Sequence, residues 1–514
     1  MLLLYSFLLV FKRQNKIMFH SRSVSLILLA TIAVTSPTIA SAQGSVRKVR
    51  LSADASNKKL QSKSRTEHNE SPSSSSPDDN SHSKGLFETI FGSRNSSEDT
   101  NRQLSTSMHY NQMGTDLNGQ SADDGIGQTT AISKDGLRMA VSCPTAAAGK
   151  GATMVRDWDA VLGQWTQVGQ MIMGNIPNMG LGYSLDMNED GSKIILGAPE
   201  AHSDDGIVYV YELVGNVWQV VGGAPIAPDE SDGQAGVSVT MSATGDRVAV
   251  GAPRTNAYNG RVSVYELDES GQWARVGQHL DSSEFMAYSG GSISMDASGN
   301  RLVIGARLGG YYMGYVKVYD YDTPSSQWVQ IGYINGEDYY DRFGSDVDIS
   351  EDGTRIVVGA FTSDGQAAQI HDAGEFSVFK YDASSSGGWS LLGQQVVGDA
   401  TMDKLGDSVA ISGDGSHVAI SSPGNDGVWE NAGKVVVYKY SAAEDAWVKE
   451  GSDIHGECPG DSFGEGGGAV ALDRTGSHLA VGSQRGGYYT GMTRVYELLT
   501  GPGDGTNGSI NECN

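Results

Sequence analysis

The sequence predicts an all-β fold, a seven-bladed β-propeller of four-stranded antiparallel blades, and three observations carry the prediction. A glycine in settings such as Glu351-Asp352-Gly353 recurs at Gly136, Gly191, Gly245, Gly299, Gly353, Gly415 and Gly476, with spacings of 55, 54, 54, 54, 62 and 61. A second glycine stands nine residues earlier in each copy, at Gly127, Gly182, Gly236, Gly290, Gly344, Gly406 and Gly467. Around each turn lie two short apolar segments, one alternating and one continuous. A period of this length indicates a stacked array or a propeller, and four strands per unit select the propeller.

Residues 1–42 read as a targeting segment. The basic, polar stretch Lys12 to Ser23 precedes an apolar run, Val24 to Val34, and Ala40-Ser41-Ala42 supplies small residues for cleavage. The run is short for a membrane span, so secretion is expected, with an uncleaved N-terminal anchor as the alternative. Met18 would make a more typical start than Met1. Residues 43–105 are rich in Ser, Asn, Asp and Lys with almost no apolar periodicity, the composition of a disordered spacer. Sequons at Asn69, Asn95 and Asn507 fall in the flanks and none falls in the repeats, consistent with a secreted glycoprotein.

Residues 1–105 carry 14 Lys/Arg against 8 Asp/Glu, net +6, leaving 22 against 53, net −31, for the rest. Such a domain repels nucleic acid and anionic membranes and favours cations or basic partners; simple solubility is the plainer reading. Of the three cysteines, Cys143 occupies the column of Ala198, Ala252, Ala306 and Ala360 and is expected in the core. Cys458 and Cys513 could pair in an oxidising compartment.

Within a unit, the first strand has period two, with Val347 and Ile349 on the packed face. The turn glycine supplies the positive φ of a tight hairpin. Ile356-Val357-Val358 then forms a strand buried on both faces. A third strand follows a glycine placed five residues ahead of an aromatic, as in Gly314/Tyr319, with Arg156 replacing the aromatic in the first copy. The fourth carries a tryptophan four residues before another glycine, as in Trp218 and Gly222. The seventh copy lacks this last strand, whereas Tyr110-Asn111-Gln112-Met113-Gly114, upstream of the first copy, matches Trp165 to Gly169. The N-terminal strand is therefore expected to join the last blade, leaving a propeller over 106–499 and a flexible tail over 500–514.

The runs Phe343-Gly344, Asp352-Gly353 and Gly359-Ala360, and Leu181-Gly182, Asp190-Gly191 and Gly197-Ala198-Pro199, resemble the FG-GAP repeat of the integrin α-subunit N-terminal propeller. The resemblance covers about residues 106–499, although a Phe-Gly pair stands only at Phe343 and Phe463. It implies a seven-bladed ring that binds protein or carbohydrate ligands, in cell adhesion among other settings. In that family some blades hold calcium in the first hairpin. Asp186, Asn188 and Asp190 reproduce the front of that motif, and Asp348 and Asp352 do so weakly. The closing acid is replaced by Ile194 and Ile356, and a basic residue follows every turn glycine by two positions: Arg138, Lys193, Arg247, Arg301, Arg355, His417 and His478. A metal-free hairpin, with the cation meeting the turn acid, is the expected reading; calcium is the alternative.

The family's ligand face is built from loops joining strands two and three and from loops between blades. Here the inter-blade loops are acidic, with Asp123-Asp124, Asp229-Glu230, Glu337-Asp338, Asp341, Asp399, Glu457 and Asp461, while the other loops carry Tyr311, Tyr312, Tyr488, Tyr489, Tyr258 and Trp429. Aromatics beside carboxylates suit sugars and also protein hot spots; the plainer possibility is that these tyrosines only cover loop ends. No His-Glu-x-x-His, Gly-x-Ser-x-Gly or Walker segment occurs, and the scattered carboxylate pairs are expected by chance in so acidic a chain. The sequence thus points to a secreted binding or adhesion module for extracellular protein or glycan ligands, with no cofactor. A propeller lectin is the alternative, and a carbohydrate-active hydrolase or lyase a more distant one.

Overall fold

Glycine with φ near +70° lets each repeat reverse direction in two residues, and in a computed structural model all seven turn glycines adopt it, from 67° at Gly245 to 73° at Gly136 and Gly476. The structure describes residues 108–119, 121, 124–228, 233–365, 370–384, 387–486 and 490–500. The targeting segment, the spacer, the three sequons, Asp123, Asp229, Glu230, Tyr488, Tyr489 and Cys513 lie outside them.

The chain forms seven antiparallel sheets, a seven-bladed β-propeller. Blades 1 to 7 are identified here by their second strands, Arg138–Cys143, Lys193–Ala198, Arg247–Ala252, Arg301–Ala306, Arg355–Ala360, His417–Ser422 and His478–Ser483. In blade 4 the strand order is Ser292–Met295, Arg301–Ala306, Tyr315–Asp322 and Gln327–Asn335, from the inside outward. The outermost strand of blade 7 is Met108–Gln112, which pairs with Met492–Thr500 so that Tyr110 faces Leu498. Cys143 is free and buried, and burial, with Asp124 nearby, pushes its thiol up to about 12. Cys458 is held in a disulfide.

The core lies between blades. Val303, Val316 and Val318 of blade 4 pack against Val347, Ile349, Ile356 and Val358 of blade 5. Each fully buried side chain of this kind contributes about 1.5–3 kcal/mol.

The glycine columns mark where neighbouring blades touch. A Cβ on Gly314, at the start of the third strand of blade 4, would stand 2.0 Å from the Phe343 carbonyl oxygen of blade 5; Gly206, Gly260, Gly374 and Gly491 meet the following blade at 2.1–2.2 Å in the same way. The turn glycines lie under a basic side chain of the preceding blade: Arg138 against Gly191, Lys193 against Gly245, and so on round to His478 against Gly136. The glycine after each tryptophan receives the next blade's aromatic ring, Trp273 on Gly222 and Tyr110 on Gly451 among them. Most of these tryptophans also donate across the seam, Trp218 Nε1 to the Val168 carbonyl at 3.0 Å and Trp447 Nε1 to the Leu392 carbonyl at 2.9 Å.

Two details differ from the sequence reading. In blade 7 the glycine that binds back to the second strand is Gly464, whose amide donates to the Gly482 carbonyl at 3.0 Å, as Gly344 does to Gly359. Gly467 belongs to an insertion of three residues, so counting back nine positions lands on the wrong glycine. The fourth strand is also broken in most blades: a second short piece, such as Leu280–Asp281, pairs with the beginning of the third strand. Gly169, Gly222, Gly277, Gly393 and Gly451, at positive φ, make the break. Gly332 keeps an ordinary φ, and Gln327–Asn335 runs through with one register shift.

Substituting Gly314 by Ala is expected to destabilise the ring by about 3 kcal/mol or more, since a backbone carbonyl has to move. Gly215→Ala, at φ 64° with nothing within 4 Å, should cost only about 1 kcal/mol. Urea unfolding of the two variants checks the difference.

Candidate functional site

The inner strands build the central channel. Alternation on a strand sends Val347 and Ile349 into the blade seam and the residue between them, Asp348, toward the axis; Asp186, Thr240, Ser294 and Ala410 occupy the same position in other blades. An innermost strand is an edge whose amides need acceptors, and buried carboxylates supply them. Asp186 accepts the Met241 amide of blade 3 at 2.8 Å and the Thr240 hydroxyl at 3.0 Å. Asp348 accepts Ser294 Oγ of blade 4 at 2.7 Å and the Ile411 amide of blade 6 at 2.9 Å, and Asp346 accepts Ser292 Oγ and the Val409 amide, both at 2.9 Å. Two aspartates of one blade thus tie three blades together around a cavity of about 280 Å³.

Burial pushes Asp186 up to about 6 and Asp346 to about 7, and raises Asp348. A carboxyl of this kind binds its proton more tightly in the folded chain, so its stabilising effect is complete below about pH 4 and is lost as pH rises toward 7.

The basic column acts across the seam. Arg301 pairs with Asp320 of its own third strand at 2.6 Å and donates to the Gly353 carbonyl of the next blade's turn at 2.8 Å; Arg138 and Arg247 do the same with Asp157 and Gly191, and with Glu266 and Gly299. The turn acid is used locally: Asp352 accepts Ser350 Oγ at 2.7 Å and the Thr354 amide at 2.9 Å. For these arginines the expectation that the cation meets its own turn acid is therefore replaced by a latch between blades, whereas His478 meets Asp473 of its own hairpin at 2.8 Å. Among the calcium candidates, Asn188 and Asp190 are together, Asn188 Nδ2 donating to Asp190 Oδ1 at 3.0 Å, while the Asp186 carboxylate points to blade 3.

The loops joining strands two and three share a face with the inter-blade loops. In blades 1 to 4 the former turn through residues at positive φ, as at Asn256, Ala257 and Tyr258 (56°, 58°, 69°) and at Gly310, Tyr311 and Tyr312 (58°, 63°, 70°). The tight left-handed turn lifts its side chains outward. Tyr311 is 82% exposed, and Tyr258, Tyr312 and Trp429 are nearly half exposed. Tyr312 stacks on Tyr340 with ring centroids 5.6 Å apart, and Arg254 lies over Tyr258. Phe285, Tyr339 and Tyr340, from inter-blade loops, are exposed as well, so exposed aromatics stand on the loops of blades 3, 4 and 6 and between blades 4 and 5. Sequence reasoning missed these three; their signal was an aromatic residue beside an acid of an inter-blade loop, as in Asp338-Tyr339-Tyr340-Asp341 and Glu284-Phe285.

The two acids of that loop have different places. Asp338 is exposed; Asp341 is buried and accepts the Asp338 amide at 3.0 Å. Asp403 and Asp461 fold the corresponding loops, accepting the Ala400 and Cys458 amides. Burial and its acidic neighbours push Asp341 up to about 6 and the adjoining Glu375 to about 7.

Fold and site together define the chain as a seven-bladed β-propeller with a carboxylate-tied channel and an aromatic loop face. No protein-family model matches it, and no curated protein is significantly similar to it in sequence.

Two outcomes are expected. The unfolding free energy should fall between pH 4 and pH 8, and Asp346→Asn, which keeps the shape and removes the charge, should reduce that fall by roughly 2–4 kcal/mol; denaturant curves across pH measure it. Millimolar calcium should leave the melting temperature unchanged, as read by thermal unfolding with and without chelator.

Proposed function

We propose that the chain is a secreted FG-GAP-type propeller, similar to the integrin α-subunit N-terminal ring, that acts as an extracellular binding or adhesion module. The observation that supports this best is the exposed aromatic surface of blades 3 to 6, Tyr258, Phe285, Tyr311, Tyr312, Tyr340 and Trp429, beside exposed acids such as Asp338 and Asp399. Rigid aromatic side chains give large contact area at small entropic cost, and a contiguous exposed set marks an interaction surface. The partner is an extracellular protein or glycan, approached by a domain of net charge −31 that favours basic surfaces. The reading is non-enzymatic and assigns no cofactor.

The full chain carrying Tyr258→Ala, Tyr311→Ala, Tyr312→Ala and Trp429→Ala together should keep its melting temperature and lose at least tenfold in binding to the extracellular proteins or arrayed glycans captured by the parent. Unchanged capture would refute the reading, and turnover of a captured polysaccharide would replace it with an enzymatic one.

A further inference from the structure

On the loop face the central channel opens into a funnel of about 380 Å³, lined by Tyr183, Tyr288, Arg307, Gln128 and Gln484. The volume is that of a small-molecule site, for which roughly 300–1,000 Å³ is usual. The funnel shares Leu185, Val239, Ile293 and Asp346 with the channel below.

Its arginine is unlike those of the hairpin column. Arg138, Arg247 and Arg301 are each held by a carboxylate and a carbonyl. Among the described residues the Arg307 guanidinium has no hydrogen bond or ion pair; it rests over the Tyr288 ring, 4.8 Å from its centroid. Arg254, on the neighbouring blade, rests over Tyr258 and keeps Nε buried without a hydrogen-bond partner among the described residues. Both guanidiniums act electrostatically on the Tyr183 phenol, as do Tyr288 and Glu200. Arg307 also lies within electrostatic reach of Asp407, whose carboxyl accepts the Gly466 amide at 2.7 Å and is pushed up by burial. A partner for Asp407 would be served as well by an arginine bonded to it, yet no such bond is made. In a domain with 53 acids and 22 basic residues, two stacked guanidiniums to which no carboxylate is bonded among the described residues are a binding device for an anion. The tyrosine faces and the amides of Gln128 and Gln484 suit a hydroxylated ring beside it.

We propose that this funnel binds a small carboxylate-bearing saccharide, with Arg307, assisted by Arg254, taking the carboxylate and Tyr183 and Tyr288 lining the sugar ring. The site meets the aromatic surface only through Arg254, which lies over Tyr258, and stands whether or not that surface binds anything. Calorimetric titration of the full chain with glucuronic acid, glucose and inorganic sulfate tests it. Glucuronate should bind, with glucose and sulfate each at least tenfold weaker. Arg307→Gln should weaken glucuronate at least tenfold and Arg254→Gln by less, while a variant with Tyr311, Tyr312 and Trp429 changed to Ala and Tyr258 kept binds it normally. Absence of glucuronate binding, equal binding of glucose or sulfate, or undiminished affinity in Arg307→Gln would overturn the proposal. Should Arg307→Gln fail to fold, Tyr183→Ala, at an exposed side chain, is expected to show the same tenfold loss, and unchanged affinity there would overturn it equally.

Discussion

The constraint on which the ring depends is the distance between backbones at the seams. Adjacent blades approach until the backbone of one nearly touches the next, and only glycine leaves room. Gly197 lies against Gly236, Gly251 against Gly290, Gly305 against Gly344 and Gly482 against Gly127, each with a would-be Cβ 2.0–2.3 Å from a carbonyl oxygen. With the backbones this close, valine and isoleucine side chains of two sheets interdigitate at crystal-like density, the tryptophan can reach the preceding blade's carbonyl, and the arginine can reach the next blade's turn. Loosening one seam would forfeit all three.

This is also why so much of the fold was legible in the sequence. Glycine has no substitute where a carbonyl occupies the Cβ position, as at Gly314, and is strongly favoured where a hairpin needs positive φ, as at Gly353, so both columns persist while the loops between them vary. The period-two strand and the continuous apolar strand followed from their burial on one face or both. What could not be read was the partner of each column. A basic residue two places after a turn glycine suggested a local replacement for calcium, because the nearest acids in sequence are those of the same turn; the true partners, Asp320 and the Gly353 carbonyl for Arg301, depend on blade geometry. Gly464 was passed over for the same reason, an insertion being invisible to a count of fixed offsets.

The site was less legible. Tyr258, Tyr311, Tyr312 and Trp429 stood out by residue type and loop position, and they are exposed on one face. Asp341 stood out too, but its carboxyl folds its own loop, a role that burial decides and sequence does not show. The funnel went unseen, because Tyr183 comes from blade 2 and Tyr288 and Arg307 from separate loops of blade 4, and nothing local marks them as neighbours. The channel aspartates were hidden by their regularity: Asp186 and, more weakly, Asp348 resembled metal ligands, whereas both serve as acceptors for the open edges of other blades.

The seventh sheet, made from both ends of the described chain, bears on how the molecule is made. Tyr110 and Gly476, hydrogen-bonded in the folded ring, are 366 residues apart in sequence. At ordinary synthesis rates the early strand waits on the order of 20–70 s for its partner. An arc of blades lacking that closing pair would leave two apolar flanks uncovered, sticky in the way that unpaired sheet edges are. Contacts of such long range also close late and slowly. The longest-range contact of the fold is therefore the one that joins its two described ends, and whatever delays it prolongs the exposure of those flanks.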